Sequence, residues 1–252
     1  MKVLAGNWKM FKTREETRAF FATVGSQLKS SSVRKIVAPS PTLLETALKA
    51  AEGTGIEIFA QNIGWAESGA FTGETSVNQL LDLGIRGTLV AHSERRQYFG
   101  ETDETAANKA VLALKKRIDV IYCIGERVEE RKAGKTNDVL TVQMKPFIEK
   151  VLPELTDERA AQGALMIAYE PVWAIGTGLT ANSEQIAEAH AFIHQLLVKA
   201  GRPLPLLYGG SVKTDNMGTI GKIAHVDGGL VGGASLEAKS YLELHQALAA
   251  LP

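Results

Sequence analysis

Cysteine is almost missing from this chain. Cys123 is the only one in 252 residues, so no disulfide can form within it. That usage fits a reducing compartment. Excess charge is missing too: 28 basic and 28 acidic residues cancel to a formal +0. A nucleic-acid or anionic-membrane binder is usually strongly basic, so neither partner is expected, and any positive potential has to be local to a site. No run of 18 apolar residues occurs, and the first residues offer no apolar signal core. From Val3 onward the chain already reads as a folded strand, and a cytoplasmic location is expected.

Several signatures of chemistry are lacking as well. There is no Cys/His cluster at zinc spacing, no Asp-x-Asp calcium loop and no Gly-x-Ser-x-Gly elbow. Gly176-Thr177-Gly178 lacks the third glycine of a dinucleotide loop, because position 181 is Ala. No metal and no cofactor are therefore expected. No linker, low-complexity tract or charge block divides the chain, and one domain over residues 1–252 is expected.

What is present is an ordinary globular composition, 45% hydrophobic and 22% charged, arranged in alternation. Eight short β-branched or apolar runs occur: 2–5, 35–38, 56–60, 87–91, 120–124, 165–169, 206–208 and 224–231. Each is followed by a helical or turn-plus-helix segment, which predicts an α/β fold with a parallel sheet. Helix starts are legible. Thr13 and Glu16 have capping-box spacing, ahead of a stripe of Phe20 or Phe21, Val24 and Leu28. Asn182 and Gln185 open another helix, with Ile186, Ala189, Ile193 and Leu197 on its buried face; Tyr241, Leu244 and Leu248 form a third stripe. Between Glu126 and Leu152, Gly134 and Pro146 interrupt the pattern and leave the boundaries open. An open doubly wound sheet has the same local pattern. The count of eight, and the clustering of unusual motifs after strands, favour closure into a barrel whose strand ends converge on one face.

Those motifs carry the chemistry. The first strand runs into Asn7-Trp8-Lys9, where Lys9 is either an anion contact or a solvated surface lysine. The fourth ends in His92-Ser93-Glu94-Arg95-Arg96. A neutral imidazole there can polarise a carbonyl or shuttle a proton, or it can be a hydrogen-bonded structural histidine. The two arginines either steer an anion or make structural ion pairs. His190, His194, His225 and His245 lie in helical or strand contexts and read as structural. The sixth strand ends in Glu170, a natural general base with basicity tunable by desolvation. Pro171 to Ala181 follows: eleven residues, stiff at the start and Gly-rich at the tip, against the usual two to six for such a loop. Its length favours a hinged lid. The seventh and eighth strands run into Gly209-Gly210-Ser211 and Gly232-Gly233-Ala234-Ser235. Glycine is common in turns, but two such loops at these positions predict a phosphorylated small substrate. Cys123 closes an apolar strand and reads as a packing residue.

Together these stretches resemble the triosephosphate isomerase family. Gly6-Asn7-Trp8-Lys9, His92 to Arg96, Cys123-Ile124-Gly125-Glu126, Tyr169 to Gly178, Tyr208 to Val212 and Gly232 to Leu236 match its motifs in order across nearly the whole chain. The resemblance implies a single-domain TIM (β/α)8 barrel. It implies a cofactor-free aldose–ketose isomerase of glycolysis and gluconeogenesis, which interconverts D-glyceraldehyde 3-phosphate and dihydroxyacetone phosphate through an enediolate. It casts Glu170 as the base, His92 as the neutral electrophile, and Lys9 and Asn7 as stabilisers of the developing oxyanion. The phosphate would lie against Gly176, Ser211, Gly232 and Gly233, with Glu94 and Cys123 behind the reacting groups. Gln61 to Glu74 resembles the loop that inserts into a second subunit, which implies a homodimer with Thr72 at the loop tip. Three places depart from the family pattern: Ala91 stands where Gly is usual, Thr75-Ser76-Val77 replaces a β-branched-Ser-Pro start, and Leu179 stands where Lys is common.

Overall fold

The computed structural model describes residues 2–25, 27–28, 32–175 and 180–251. Eight strands form one parallel sheet: β1 Val3–Asn7, β2 Arg34–Ala38, β3 Ile56–Ile58, β4 Gly87–Val90, β5 Asp119–Ile124, β6 Leu165–Tyr169, β7 Leu206–Tyr208 and β8 Gly228–Val231. Their order is β3-β2-β1-β8-β7-β6-β5-β4. A parallel bridge between Ala60 and Thr88 joins the two ends, with Ala60 N–H donating to Gly87 O and Leu89 N–H to Ala60 O, both at 2.8 Å. The sheet therefore closes, and the expected barrel is what the chain forms. The helices around it are α1 Arg14–Gly25, α2 Leu44–Ala50, α3 Val77–Leu83, α4 Ser93–Tyr98, α5 Asp103–Lys115, α6 Val128–Lys132, α7 Thr136–Pro146, α8 Asp157–Ala161, α9 Ser183–Lys199, α10 Met217–Ile220 and α11 Ala238–Ala249.

Apart from Glu57 of β3, the strands are largely buried on both faces, which is why most read as continuous apolar runs. Alternate residues serve two cores. On β5, Ile121 and Cys123 point into the barrel, while Val120, Tyr122 and Ile124 pack under the helices; on β6, Met166 and Ala168 are inside. This period of two decides where the chemistry sits. Asn7 continues the inward phase of Val3 and Ala5, and Glu170 continues that of Met166 and Ala168. Both emerge at the C-terminal mouth.

The capping boxes form as expected. Thr13 N–H donates to Glu16 Oε2 at 2.7 Å, and Asn182 and Gln185 cap α9 reciprocally. The replaced segment Thr75-Ser76-Val77 supplies its own cap: Ser76 and Gln79 bond reciprocally at the start of α3. Residues 126–152 resolve into α6, a break at Gly134 in the left-handed region, then α7 and a π turn over Phe147–Val151. Pro146, which has no N–H, sits where α7 gives way to that turn. One strand expectation is corrected. The eighth begins at Gly228 rather than at residue 224, because His225 takes φ +63°, which is incompatible with a strand of L-residues. His225 is thus a turn residue.

Trp8 fixes the end of β1. It is fully buried against Phe20 and Phe21, with ring centroids at 4.9 and 5.8 Å, and its Nε1 donates to Ser235 O at 3.1 Å. That bond ties the residue before Lys9 to the turn after β8.

Candidate active site

Asn7, Lys9, His92, Glu170, Ser211, Gly232 and Gly233 line one cavity of about 300 Å³ at the barrel mouth, together with Ile175 and Lys213. Seven residues expected from five separate strand ends are thus brought together. A roomier groove of about 530 Å³ lies between α7 and α9, but it lies outside the barrel mouth and holds none of these seven residues. Gly176 lies outside the described residues, as do Thr177 to Leu179.

Lys9 takes φ +50°, an uncommon backbone for a residue with a side chain, and two neighbours hold it there. Its N–H donates to Asn7 Oδ1 at 3.0 Å, and its carbonyl accepts from Gln61 Nε2 at 2.8 Å. Gln61 also donates to Ala38 O at 2.9 Å, so it braces the loop after β1 against β2. The Lys9 ammonium pairs with Glu94 Oε1 at 2.5 Å.

His92 owes its place to the residue before it. In strict alternation with Leu89, position 91 would face inward and position 92 outward. Ala91 takes φ +65°, and this left-handed step turns His92 into the mouth. The departure from Gly at 91 therefore falls on a strained backbone, which costs an L-residue about 1–2 kcal/mol. The step is held from both sides. Ala91 N–H donates to Glu101 Oε1 at 2.9 Å, and Arg96 Nε donates to Ala91 O at 2.9 Å. Arg95 and Arg96 make structural ion pairs, with Glu101 and Asp103 respectively.

The imidazole is 6% exposed and the Glu170 carboxylate beside it 2%. His92 Nε2 and Glu170 Oε1 are 2.9 Å apart, and Ser93 N–H donates to Glu170 Oε2 at 2.8 Å. On the other edge Nδ1 accepts from Glu94 N–H at 3.3 Å, which in a neutral ring leaves the proton on Nε2. Burial disfavours an imidazolium, yet the Glu170 carboxylate outweighs it and raises the pKa of His92. For Glu170, burial pushes the pKa up, and His92 with the Ser93 amide more than offsets this, so the net shift is downward. Both shifts belong to the pair and depend on its contact.

Glycine makes room for Glu170, side chain and backbone alike. A Cβ on Gly209 would come within 2.9 Å of Glu170 Cγ, and one on Gly125 would meet Glu170 O at 1.7 Å. Cys123 is fully buried within the barrel. Burial, and then the charge of Glu170, push its thiol well above the usual range, which keeps it protonated among its packing neighbours. Thr72 stands exposed at the tip of a loop closed at its base by Gly64 N–H to Thr75 O at 2.9 Å, away from the cavity.

Four contributors escaped the sequence reading. Gln61 and the Ser93 amide act through backbone, which no side-chain pattern reports. Lys213 follows Ser211-Val212, and its residue type does not set it apart from the chain's other lysines. Glu126 was read only as part of a motif. It is fully buried, and its Oε1 accepts from the Tyr169 hydroxyl and from Trp173 Nε1, both at 3.1 Å. Val172 N–H also bonds Glu126 O at 3.0 Å, so Glu126 anchors the start of the loop after β6. An acid two residues beyond the apolar end of β5 is the available signal.

The family model described as "Triosephosphate isomerase" matches residues 2–248. The chain is 46% identical over 248 residues to the triosephosphate isomerase of Citrifermentans bemidjiense, covering 96% of each chain. It is 44% identical over 245 residues to that of Geobacter metallireducens, covering 95% of each. With the Solibacter usitatus protein of the same name it shares 44% over 248 residues, 96% of this chain and 97% of the relative. Barrel, cavity and comparisons agree, and the chain belongs to the triosephosphate isomerase family.

Proposed function

We infer that this protein interconverts D-glyceraldehyde 3-phosphate and dihydroxyacetone phosphate, the aldose–ketose isomerisation of glycolysis. Its membership of the family and the names of its relatives carry the reaction. The observation that carries the site is a single cavity holding a buried carboxylate, an imidazole, an ammonium group and a glycine-rich turn.

In this reading Glu170 removes the proton from the carbon next to the substrate carbonyl. The electron pair left behind forms the enediolate, and the same carboxyl returns the proton to the neighbouring carbon. His92 donates from Nε2 to the carbonyl oxygen as charge develops there, the base–imidazole pairing for which this enzyme family is known. When substrate draws Glu170 away from His92, the influence that raises the imidazole pKa weakens. Burial and the Glu94 amide remain, and both favour the neutral ring. Lys9 exchanges Glu94 for the substrate oxyanion, with Asn7 holding its backbone. Ser211, Gly232, Gly233 and Gly176 receive the phosphate. The loop from Pro171 to Ala181, started by Glu126 and Val172, closes over it; excluding water suppresses loss of phosphate from the enediolate.

We further propose a homodimer. Met10, Phe11, Trp65, Phe71, Tyr98 and Phe99 are all exposed and lie on the segments that follow β1, β3 and β4, Tyr98 at the end of α4. So many bared apolar side chains on neighbouring loops mark an interaction surface. Residues 1–252 forming one domain and a cytoplasmic location belong to the same proposal. Among the described residues no helix is long and apolar enough to cross a membrane.

A coupled assay with glyceraldehyde 3-phosphate, in chelator and without added cofactor, tests the reaction. Rapid formation of dihydroxyacetone phosphate is expected. A folded sample with no turnover would instead favour a barrel kept as a scaffold. Sedimentation over a dilution series tests the dimer, which fails if the mass is that of one chain throughout.

A further inference from the structure

The cavity wall carries a second lysine. Lys213 lines the same space as Ser211, Gly232 and Gly233. Its surroundings differ from those of Lys9. Lys9 is paired with Glu94 at 2.5 Å, so its charge is compensated before substrate arrives. Lys213 is exposed, and among the described residues no carboxylate pairs with it; the nearest acid in the chain, Asp215, is itself exposed. The backbone that presents Lys213 is fixed. Its N–H donates to Asn216 Oδ1 at 2.8 Å, and Asn216 Nδ2 donates to Ser211 O at 3.2 Å. One amide side chain therefore staples the turn that carries both Ser211 and Lys213.

We propose that Lys213 is an electrostatic steering residue: the uncompensated cation that draws the substrate phosphate into the cavity. The proposal rests on Ser211, Gly232 and Gly233 being the phosphate cradle. The formal net charge of the chain is +0, so its overall charge exerts no pull on an anion. His92 and Glu170 bring net negative charge to the mouth, and Lys9 is cancelled by Glu94. A dianion entering such a site needs a local positive source. Lys213 supplies it at the end where the cradle lies, away from the reacting carbons. It therefore acts on capture and leaves the proton transfers alone. Being exposed, its field is screened by salt, with a reach of about 30 Å at 0.01 M ionic strength and below about 5 Å at 0.5 M.

The test uses the full-length protein with Lys213→Gln and Lys213→Arg. Steady-state constants for glyceraldehyde 3-phosphate are measured from low to high ionic strength, with inorganic phosphate as a competing anion. For Lys213→Gln, kcat/KM is expected to fall about threefold at low ionic strength, while kcat is unchanged. The inhibition constant of inorganic phosphate should rise by a similar factor, and both differences should fade at high salt. Lys213→Arg should restore both. Turnover of unphosphorylated glyceraldehyde, which has no charge to steer, should be the same in all three proteins. Unaltered kcat/KM and inhibition constant at low salt, a loss independent of salt, or an equal loss on glyceraldehyde would each overturn the proposal. If inorganic phosphate fails to compete even in the unsubstituted protein, the cradle reading fails and takes the proposal with it.

Discussion

Replacing Glu170 by Asp withdraws the carboxylate by one methylene, about 1.5 Å, while leaving its charge. In the resting site the two oxygens sit 2.9 Å from His92 Nε2 and 2.8 Å from Ser93 N. The shorter side chain exceeds hydrogen-bond reach of both. The backbone has no easy way to follow, because Gly125 packs directly on Glu170 O and Gly209 lies beneath Cγ. A base misplaced by about 1 Å loses roughly 10²-fold in rate, so kcat should fall by about 10²–10³, equivalent to about 3–4 kcal/mol of barrier. KM should change far less, since Ser211, Gly232 and Gly233 are untouched. The pH profile should move as well. The Glu170 pKa is lowered because His92 and the Ser93 amide outweigh its burial. In Glu170→Asp the shortened carboxylate keeps the burial and loses those partners, so its pKa rises, and the acid limb of kcat/KM shifts to higher pH. Steady-state assays from pH 5 to 9 read both effects, with a urea unfolding curve as the control for folding. Turnover within threefold of the parent, or a loss confined to KM, would refute Glu170 as the proton-transferring group.

Ala91→Gly relieves about 1–2 kcal/mol of left-handed strain but gives up a buried methyl, about 0.8 kcal/mol, and about 0.5–1 kcal/mol of unfolded-state restriction, so urea unfolding should find it near neutral. Ala91→Val, β-branched at the same φ, should lose well over 1 kcal/mol and reduce activity by displacing His92; a neutral result would contradict the strained step. Lys109→Met leaves Glu101, 2% exposed in its side chain, without its closest buried cation, and should cost about 3–5 kcal/mol in the same assay. Glu101's pKa is lowered because Lys109, Arg95 and the Ala91 amide outweigh burial, so the stability it contributes is full above the ordinary value of 4.5 and is lost as pH falls through the lowered one. His190 is fully buried, and burial lowers its pKa to about 4. The unfolded chain takes up that proton first, so stability is full above about 6.5 and declines as pH falls toward about 4, by up to about 3 kcal/mol; stability curves of His190→Gln should be flatter across that window.

Much of this molecule is legible in its sequence because the carriers are side chains at regular spacing. Eight apolar runs correspond to eight strands, and the inward phase of β1 and β6 carries Asn7 and Glu170 to the mouth without further help. His92 is the instructive exception. It was found by its chemical type and its motif, whereas the alternation of β4 would have turned it away from the cavity. What brings it in is one positive φ at Ala91, and nothing in an alanine announces that. The eighth strand was overextended for the same reason: His225 is compatible with a strand by composition but sits in the left-handed region. Backbone partners were hidden likewise. Gln61, the Ser93 amide and Asn216 contribute one or two hydrogen bonds each to residues far away in sequence or to main chain, and such bonds leave no periodic trace.

The resting site also explains why these particular charges coexist in one cavity. An unpaired carboxylate as buried as Glu170 would be expensive, and so would a lone ammonium next to it. Here Lys9 is matched by Glu94, and Glu170 by His92 and the Ser93 amide, so no buried charge waits without a partner. Substrate binding then becomes an exchange. In the proposed mechanism Lys9 leaves Glu94 for an oxygen of the substrate, His92 leaves Glu170 for the carbonyl, and Glu170 is released toward the carbon acid. Each donor passes from an internal acceptor to a substrate acceptor, without first being desolvated. Preorganisation of this kind keeps the reorganisation needed at the moment of reaction small, which is where electrostatic catalysis gains most. It also places a demand on the substrate: only a ligand offering an oxygen for Lys9, an oxygen for His92 and an anion for the cradle can replace all the internal partners at once.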